Sequence, residues 1–176
     1  MKREISRWQF AGFVFSTLCG TLLHFLYGWT GGNAIAAVFS GVNESTWEHM
    51  KLLYFPLVLF SIVQSRYFKA YDEFWCVKLV GVVVGLSLIP VLFYTYNGVI
   101  GRSPDWINIA IFFVSAAAAF IVESYLFKNR TLPCRASWAA RAAIAVIGVL
   151  FATFTFFPPR IGLFRDPVTG IYGIGA

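Results

Sequence analysis

Charge is what this chain has least of. Only 12% of its 176 residues are Asp, Glu, Lys or Arg, while 59% are hydrophobic and 19% aromatic. The mean hydropathy is +0.71. A soluble domain of this size has too little interior to hide so much apolar surface, so a bilayer is the natural solvent. Cysteine is scarce too. Cys19, Cys76 and Cys134 are scattered with no C-x-x-C pair, which speaks against a disulfide framework and against a zinc–thiolate centre. There is no phosphate-cradling glycine loop, no H-x-x-x-H pair and no recognisable Ser/His/Asp pattern. No internal repeat points to an inverted-repeat transporter. The net charge of +6 is not a nucleic-acid footprint, because the basic residues sit in short clusters between apolar runs, as they do in cytoplasmic loops.

Long apolar runs are what the chain does have. Five reach or approach the roughly 20 residues that cross a bilayer: about residues 9–27, 45–67, 74–96, 106–127 and 139–157. The expected fold is therefore all-α, a polytopic transmembrane helical bundle forming one domain. No small-residue cleavage site follows the first run, so it reads as a retained helix and not a cleaved signal. The stretch 33–42 is apolar but too short to span, and fits a re-entrant or interfacial helix.

Positive charge predicts orientation. Lys2, Arg3, Arg7, Arg66, Lys69, Lys128, Arg130, Arg135 and Arg141 fall on one side, against Arg102, Arg160 and Arg165 on the other. That bias puts the N-terminus in the cytoplasm and the C-terminus outside, as in a multi-pass protein of the cell membrane. Local signals agree. Ser103-Pro104-Asp105 reads as a helix start with Ser103 as the cap and Pro104 in the first turn. Gly81-x-x-x-Gly85 and Ala116 to Ala119 allow close helix approach. Pro56 and Pro90 should kink their helices. All six tryptophans fall near predicted helix ends.

One cluster stands out against this background: Asn43-Glu44-Ser45-Thr46-Trp47-Glu48-His49-Met50-Lys51. Ionisable groups at membrane depth cost about 2.5–3.5 kcal/mol each on insertion scales, and so mark function by default. Topology places the cluster on the outer side with His24, Asp105 and the tail residues Arg160, Arg165 and Asp166. At helical spacing Glu44, Glu48 and Lys51 share a face, with His49 about 100° round from Glu48. Part of the set has a structural explanation. Ser45 and Glu48 form a capping box, with Glu48 reaching back to the Ser45 amide, and Glu48 and Lys51 suit a local ion pair. Glu44 and His49 are less well explained. His24 and His49 with a carboxylate from Glu44 or Glu48 would make a two-His, one-carboxylate metal set with an open position. The alternative for His24 is a hydrogen-bonded place in the bundle interior.

Elsewhere, the small and polar stripe Ser16, Thr17, Cys19, Gly20, Thr21 and His24 reads as helix packing or as cavity lining. Glu123 is expected to pair or snorkel towards Lys128 or Arg130. Asp166-Pro167-Val168-Thr169-Gly170 has turn chemistry, in a tail able to fold over the outer pocket.

Two segments, His24 to Pro56 (HFLYGWTGGNAIAAVFSGVNESTWEHMKLLYFP) and Pro158 to Ile174 (PPRIGLFRDPVTGIYGI), resemble a family of small prokaryotic integral membrane proteins classed as a domain of unknown function. That resemblance implies a membrane location and no particular activity. Asn43-Glu44-Ser45, Trp47 and His49 are also similar to the N-E-T-x-N-x-W-x-H-like signature of the progestin and adipoQ receptor/haemolysin III superfamily, with one intervening residue where that signature has three. Some relatives there are membrane-embedded zinc-dependent lipid amidases with seven spans and three histidine ligands; this chain has about five spans and two histidines.

Three functions follow as expectations. The leading one is an outer-facing pocket that binds or translocates a small polar or amphipathic ligand. It would use Glu44, Glu48, His49, Lys51, His24, Asn43, Trp47, Asp105, Arg165 and Asp166, with no resident cofactor. The second is a membrane-embedded hydrolase of a lipid-like substrate, with a divalent metal such as zinc on His24, His49 and Glu44. The third is a structural or assembly protein with no ligand. The expected partners are the lipid bilayer and a small-molecule or lipid ligand, not nucleic acid.

Overall fold

A computed structural model describes residues 2–101 and 104–174. The described residues form an all-helical bundle: α1 (Lys2–Trp29), α2 (Ala34–Phe39), α3 (Thr46–Ser65), α4 (Phe74–Ile100), α5 (Asp105–Asn129), α6 (Ser137–Phe156) and a 3-10 turn at Gly162–Phe164. Helices α1, α4, α5 and α6 are long and apolar enough to cross a membrane. The remaining expected span, 45–67, corresponds to α3. Its 20 residues reach about 30 Å, but Glu48, His49, Lys51 and Gln64 interrupt its apolar run, and it is not among those four. Its position explains the difference. Helix α3 packs against α1, α2, α4, α5, α6 and the 3-10 turn, and 11 of its 20 residues are buried. The outer helices meet the surroundings with apolar faces; the inner one can carry polar groups because protein surrounds it.

Helix α1 starts at Lys2, seven residues before the apolar run, because its charged first turns stay helical beyond the apolar stretch. The expected Ser103 cap lies outside the described residues. Pro104 itself occupies the cap position of α5, with no side-chain hydrogen bond. Helices α3 and α4 continue through Pro56 and Pro90. The stretch 33–42 contains the six-residue α2, capped by Asn33 Oδ1, which accepts from the Ile35 and Ala36 amides.

Helices α4 and α5 pack where small residues were expected to allow it. A Cβ on Gly85 would lie 3.2 Å from the Ala119 Cβ and 3.1 Å from Leu53. Next to this seam, Lys78 and Glu123 form a fully buried ion pair at 2.6 Å. Glu123 therefore does not turn to Lys128 or Arg130. Its side chain projects into the seam, nearly two turns inside the helix end, and Lys78 is the cation within reach there. The cysteine expectation is also corrected. Cys76, in the first turn of α4, and Cys134, in the α5–α6 loop, form a disulfide with Cα atoms 6.0 Å apart. Nothing in their 58-residue separation signals this; the antiparallel return of α5 brings the loop back to the start of α4.

Candidate functional site

The cluster that sequence spacing puts on one helix face divides in two, because α3 begins at Thr46 and Glu44 precedes it. In the loop, Asn43 Oδ1 accepts from the Ser45 amide at 2.9 Å. Ser45 Oγ caps α3 by accepting from the Glu48 amide at 3.4 Å. Only half of the expected capping box forms. With the Ser45 amide already used, the Glu48 carboxylate accepts from the Val42 amide instead, at 3.2 Å.

Glu48 and Lys51 belong to the inner half, turned towards α6. Both are buried, and they pair at 2.5 Å. Lys51 Nζ donates to Ala37 O at 2.7 Å and to Thr155 Oγ1 at 2.8 Å. Thr155 Oγ1 in turn donates towards Glu48 Oε1 at 3.2 Å. This network ties α2, α3 and α6 together, and neither Glu48 nor Lys51 is among the residues that line the cavity next to Glu44. Trp47 is also withdrawn, packing its indole on Phe151, Phe154 and Phe164.

Glu44, His49 and His24 form the outer half. Glu44 Oε1 lies 3.7 Å from His24 Nε2, and Glu44 Oε2 lies 3.5 Å from His49 Nε2. One ligand atom from each residue falls within 4.8 Å of the others. His49 Nδ1 is 3.0 Å from Ser45 O. A carbonyl can only accept, so that nitrogen carries the proton, and a neutral ring then presents the Nε2 lone pair to Glu44. With the Glu44 side chain 47% exposed, the space between the two groups is open to a water or to a cation. Tetrahedral zinc with ligands at about 2.0–2.1 Å sets its donor atoms roughly 3.4 Å apart; the two carboxylate–imidazole spacings are close to that, while the set as a whole, within 4.8 Å, would have to draw together.

These three residues open onto a cavity of about 380 Å³, lined also by Thr46, Ile89, Phe93, Asp105, Asn108, Ile111, Phe112, Pro167 and Val168. Asp105, the first residue of α5, thus joins the histidines as sequence reasoning expects. Asn108 is the lining residue that periodicity could have revealed, three positions after Asp105 on the same helical face. The apolar wall of Ile89, Phe93 and Phe112 carries no sequence signal that separates it from ordinary core.

The C-terminal tail forms the roof. Pro167 and Val168 line the cavity, while Asp166 is buried and organises the turn. Its Oδ1 accepts from the Val168 amide at 2.7 Å and the Thr169 amide at 3.2 Å. Burial pushes the Asp166 carboxyl upwards, but the amides of Val168, Thr169 and Glu44 and the Thr169 hydroxyl outweigh it and hold the carboxyl below its ordinary range. Asn43 is a tail anchor and not a cavity residue: its Nδ2 donates to Gly173 O at 2.8 Å. Arg165 lines a smaller neighbouring cavity with Thr46, Phe93, Tyr94, Gly162 and Pro167.

A family model described as "Family of unknown function (DUF6512)" matches residues 1–174. The chain belongs to that family. No curated protein and no solved structure matches it. The match spans both segments that carry the resemblance, the Asn43–Lys51 region and the tail, which the fold brings together over one cavity.

Proposed function

We propose that this chain is a multi-pass protein of the cell membrane, N-terminus inside, whose outer-facing cavity is a metal-dependent hydrolytic site for a small amphipathic substrate. One observation carries the reading: the Nε2 lone pair of His49 faces the Glu44 carboxylate at 3.5 Å, with His24 Nε2 on the other carboxylate oxygen. A divalent cation such as zinc satisfies all three donors and leaves a position open towards the cavity. When bound, such an ion would supply an activated water at neutral pH. The chain's own residues do the rest. Ser45 O fixes the His49 ring, as outer-shell carbonyls do for metal-bound histidines. Asp105 puts a second carboxylate in the same cavity, a group able to take a proton from the attacking water. The tail covers part of the cavity through Pro167 and Val168.

A second reading rests on the same contacts. Protonation of His24 or His49 would also place a positive charge beside Glu44, and the cavity would then bind or translocate its ligand without metal. Elemental analysis of purified protein separates the two. The metal reading expects about one zinc per chain, lost in Glu44→Gln. Absence of stoichiometric metal after zinc-supplemented purification would sink it and leave the protonation reading. The further test is ester or amide hydrolysis by the zinc-loaded protein, absent in Glu44→Gln.

A further inference from the structure

A polar layer crosses the half of the bundle away from the outer cavity. Gln9 of α1, Gln64 of α3, Lys78 of α4 and Glu123 of α5 are all buried, none more than 4% exposed. Helix periodicity puts them at one level, between two layers of aromatic rings. On the cavity side, Phe60 and Phe120 close on Gly12, where a Cβ would stand 2.6 Å and 2.5 Å from their rings. On the far side, Phe127 packs on Phe68 and Phe74 with ring centroids 5.2 Å and 5.7 Å apart, and Ile5 joins the same cluster.

Each polar residue falls between these layers along its own helix. Gln9 lies four residues after Ile5 and three before Gly12. Gln64 lies four residues from both Phe60 and Phe68, and its carbonyl accepts from the Phe68 amide at 3.1 Å. Glu123 lies three residues after Phe120 and four before Phe127, and Lys78 four after Phe74. Residues three or four apart on a helix stand one above another. The position of Lys78 Nζ agrees. It lies 5.4 Å from the Phe120 ring centroid and 5.9 Å from that of Phe60 on one side, and 5.8 Å from that of Phe74 on the other.

Only one contact in this layer is made. Lys78 Nζ holds Glu123 Oε2. Glu123 Oε1, and both the nitrogen and the oxygen of the Gln9 and Gln64 amides, have no hydrogen-bond partner among the described residues. Turning either amide end for end changes nothing, because both ends of both lack a partner. Buried polar groups are almost always paired, and exceptions point to a bound water or ion.

The chemistry of the five atoms specifies what binds them. The amide nitrogens donate; the amide oxygens and Glu123 Oε1 accept. The ligand must do both. The charges of Lys78 and Glu123 already cancel, so an added ion would leave a net charge buried among aromatic rings. Water is the smallest neutral molecule that donates and accepts.

We infer that this layer is a second, internal site, in which about two waters, at about three hydrogen bonds each, bridge Gln9, Gln64 and Glu123 and solvate the Lys78–Glu123 pair. The site stands independently of the outer metal centre.

Hydroxyl-radical footprinting of the full-length protein in nanodiscs tests it, because radiolysis of a bound water oxidises the side chains beside it. Phe120 and Phe127 are expected to be oxidised several-fold faster than Phe151, which is equally buried but lies outside the layer. Gln9→Leu with Gln64→Leu should bring both rings down to the Phe151 rate and lower the Tm. Where the double variant does not fold, Gln64→Leu alone is read in the same way. Equal rates at the three rings in wild type, or rates unchanged by the substitutions, overturn the inference. A variant more stable than wild type overturns it too, since amides buried without any partner gain from apolar replacement and water-bonded ones lose.

Discussion

His49 Nδ1 lies 3.0 Å from the carbonyl oxygen of Ser45, four residues earlier. This contact fixes the ring of a helical histidine. The carbonyl would otherwise serve only as an acceptor for the His49 amide at 3.2 Å; here it also decides which ring nitrogen faces Glu44.

If that orientation serves a metal, removing either ring should cost more than losing an outer-shell partner. His24→Ala and His49→Ala are each expected to weaken zinc binding by at least about 100-fold, the upper end of outer-shell effects. Competition against a chromophoric chelator measures it. Zinc affinity within a few-fold of wild type in both variants would remove the basis of the site.

Glu48 should behave in the opposite way to Glu44. Glu48→Gln leaves Lys51 buried without its counter-charge, which typically costs about 3–5 kcal/mol, yet zinc content should stay as in wild type. Glu48→Leu combined with Lys51→Met should recover much of that loss, since apolar replacements of a buried pair are often neutral or better. Denaturation in detergent checks both variants. Loss of zinc in Glu48→Gln with unchanged stability would mean that the two acids have been assigned the wrong way round.

Asp166 makes the roof sensitive to acid. Its carboxyl titrates below the ordinary range when folded, so the unfolded chain binds the proton more readily. Its contribution is complete above the unfolded value of about 4 and fades as pH falls through the lower folded value. Limited proteolysis of the tail should therefore rise at low pH. Asp166→Ala should free the tail at every pH, with a loss of about 1.5–3 kcal/mol for a charge-assisted hydrogen bond. Identical cleavage of wild type and variant at neutral pH would contradict the anchoring role.

The Cys76–Cys134 disulfide lies on the side that positive charge assigns to the cytoplasm, where free thiols are the rule. In intact cells both cysteines should be shielded from a membrane-impermeant maleimide and should react only after permeabilisation and reduction. Reaction in intact, reduced cells would reverse the orientation. Cys134→Ser should lower stability by about 2–4 kcal/mol under oxidising conditions, with no effect once wild type is reduced.

Much of this molecule was legible in its residues. The scarcity of charge and the lengths of the apolar runs specify a helical bundle, because backbone groups in an apolar solvent must be satisfied within each segment. Gly81, Gly85 and Ala116 to Ala119 announce the α4–α5 seam, since small side chains are a local property. Glu44 and His49 stand out because a helix start explains them poorly.

Tertiary structure alone decided the partners. Lys78 meets Glu123, 45 residues away, and Cys76 meets Cys134; such pairings depend on how helices return past one another, which no local pattern encodes. The Asn43–Lys51 cluster reads as one site along the chain but faces two ways in space. The helix begins at Thr46, so Glu44 is free to turn outwards to His24 and His49, while Glu48 and Lys51 turn inwards to Thr155. A run of nine residues determined that ionisable groups would gather on this side of the bundle. The start of one helix, and the tail folded over it, determined which of them face the cavity.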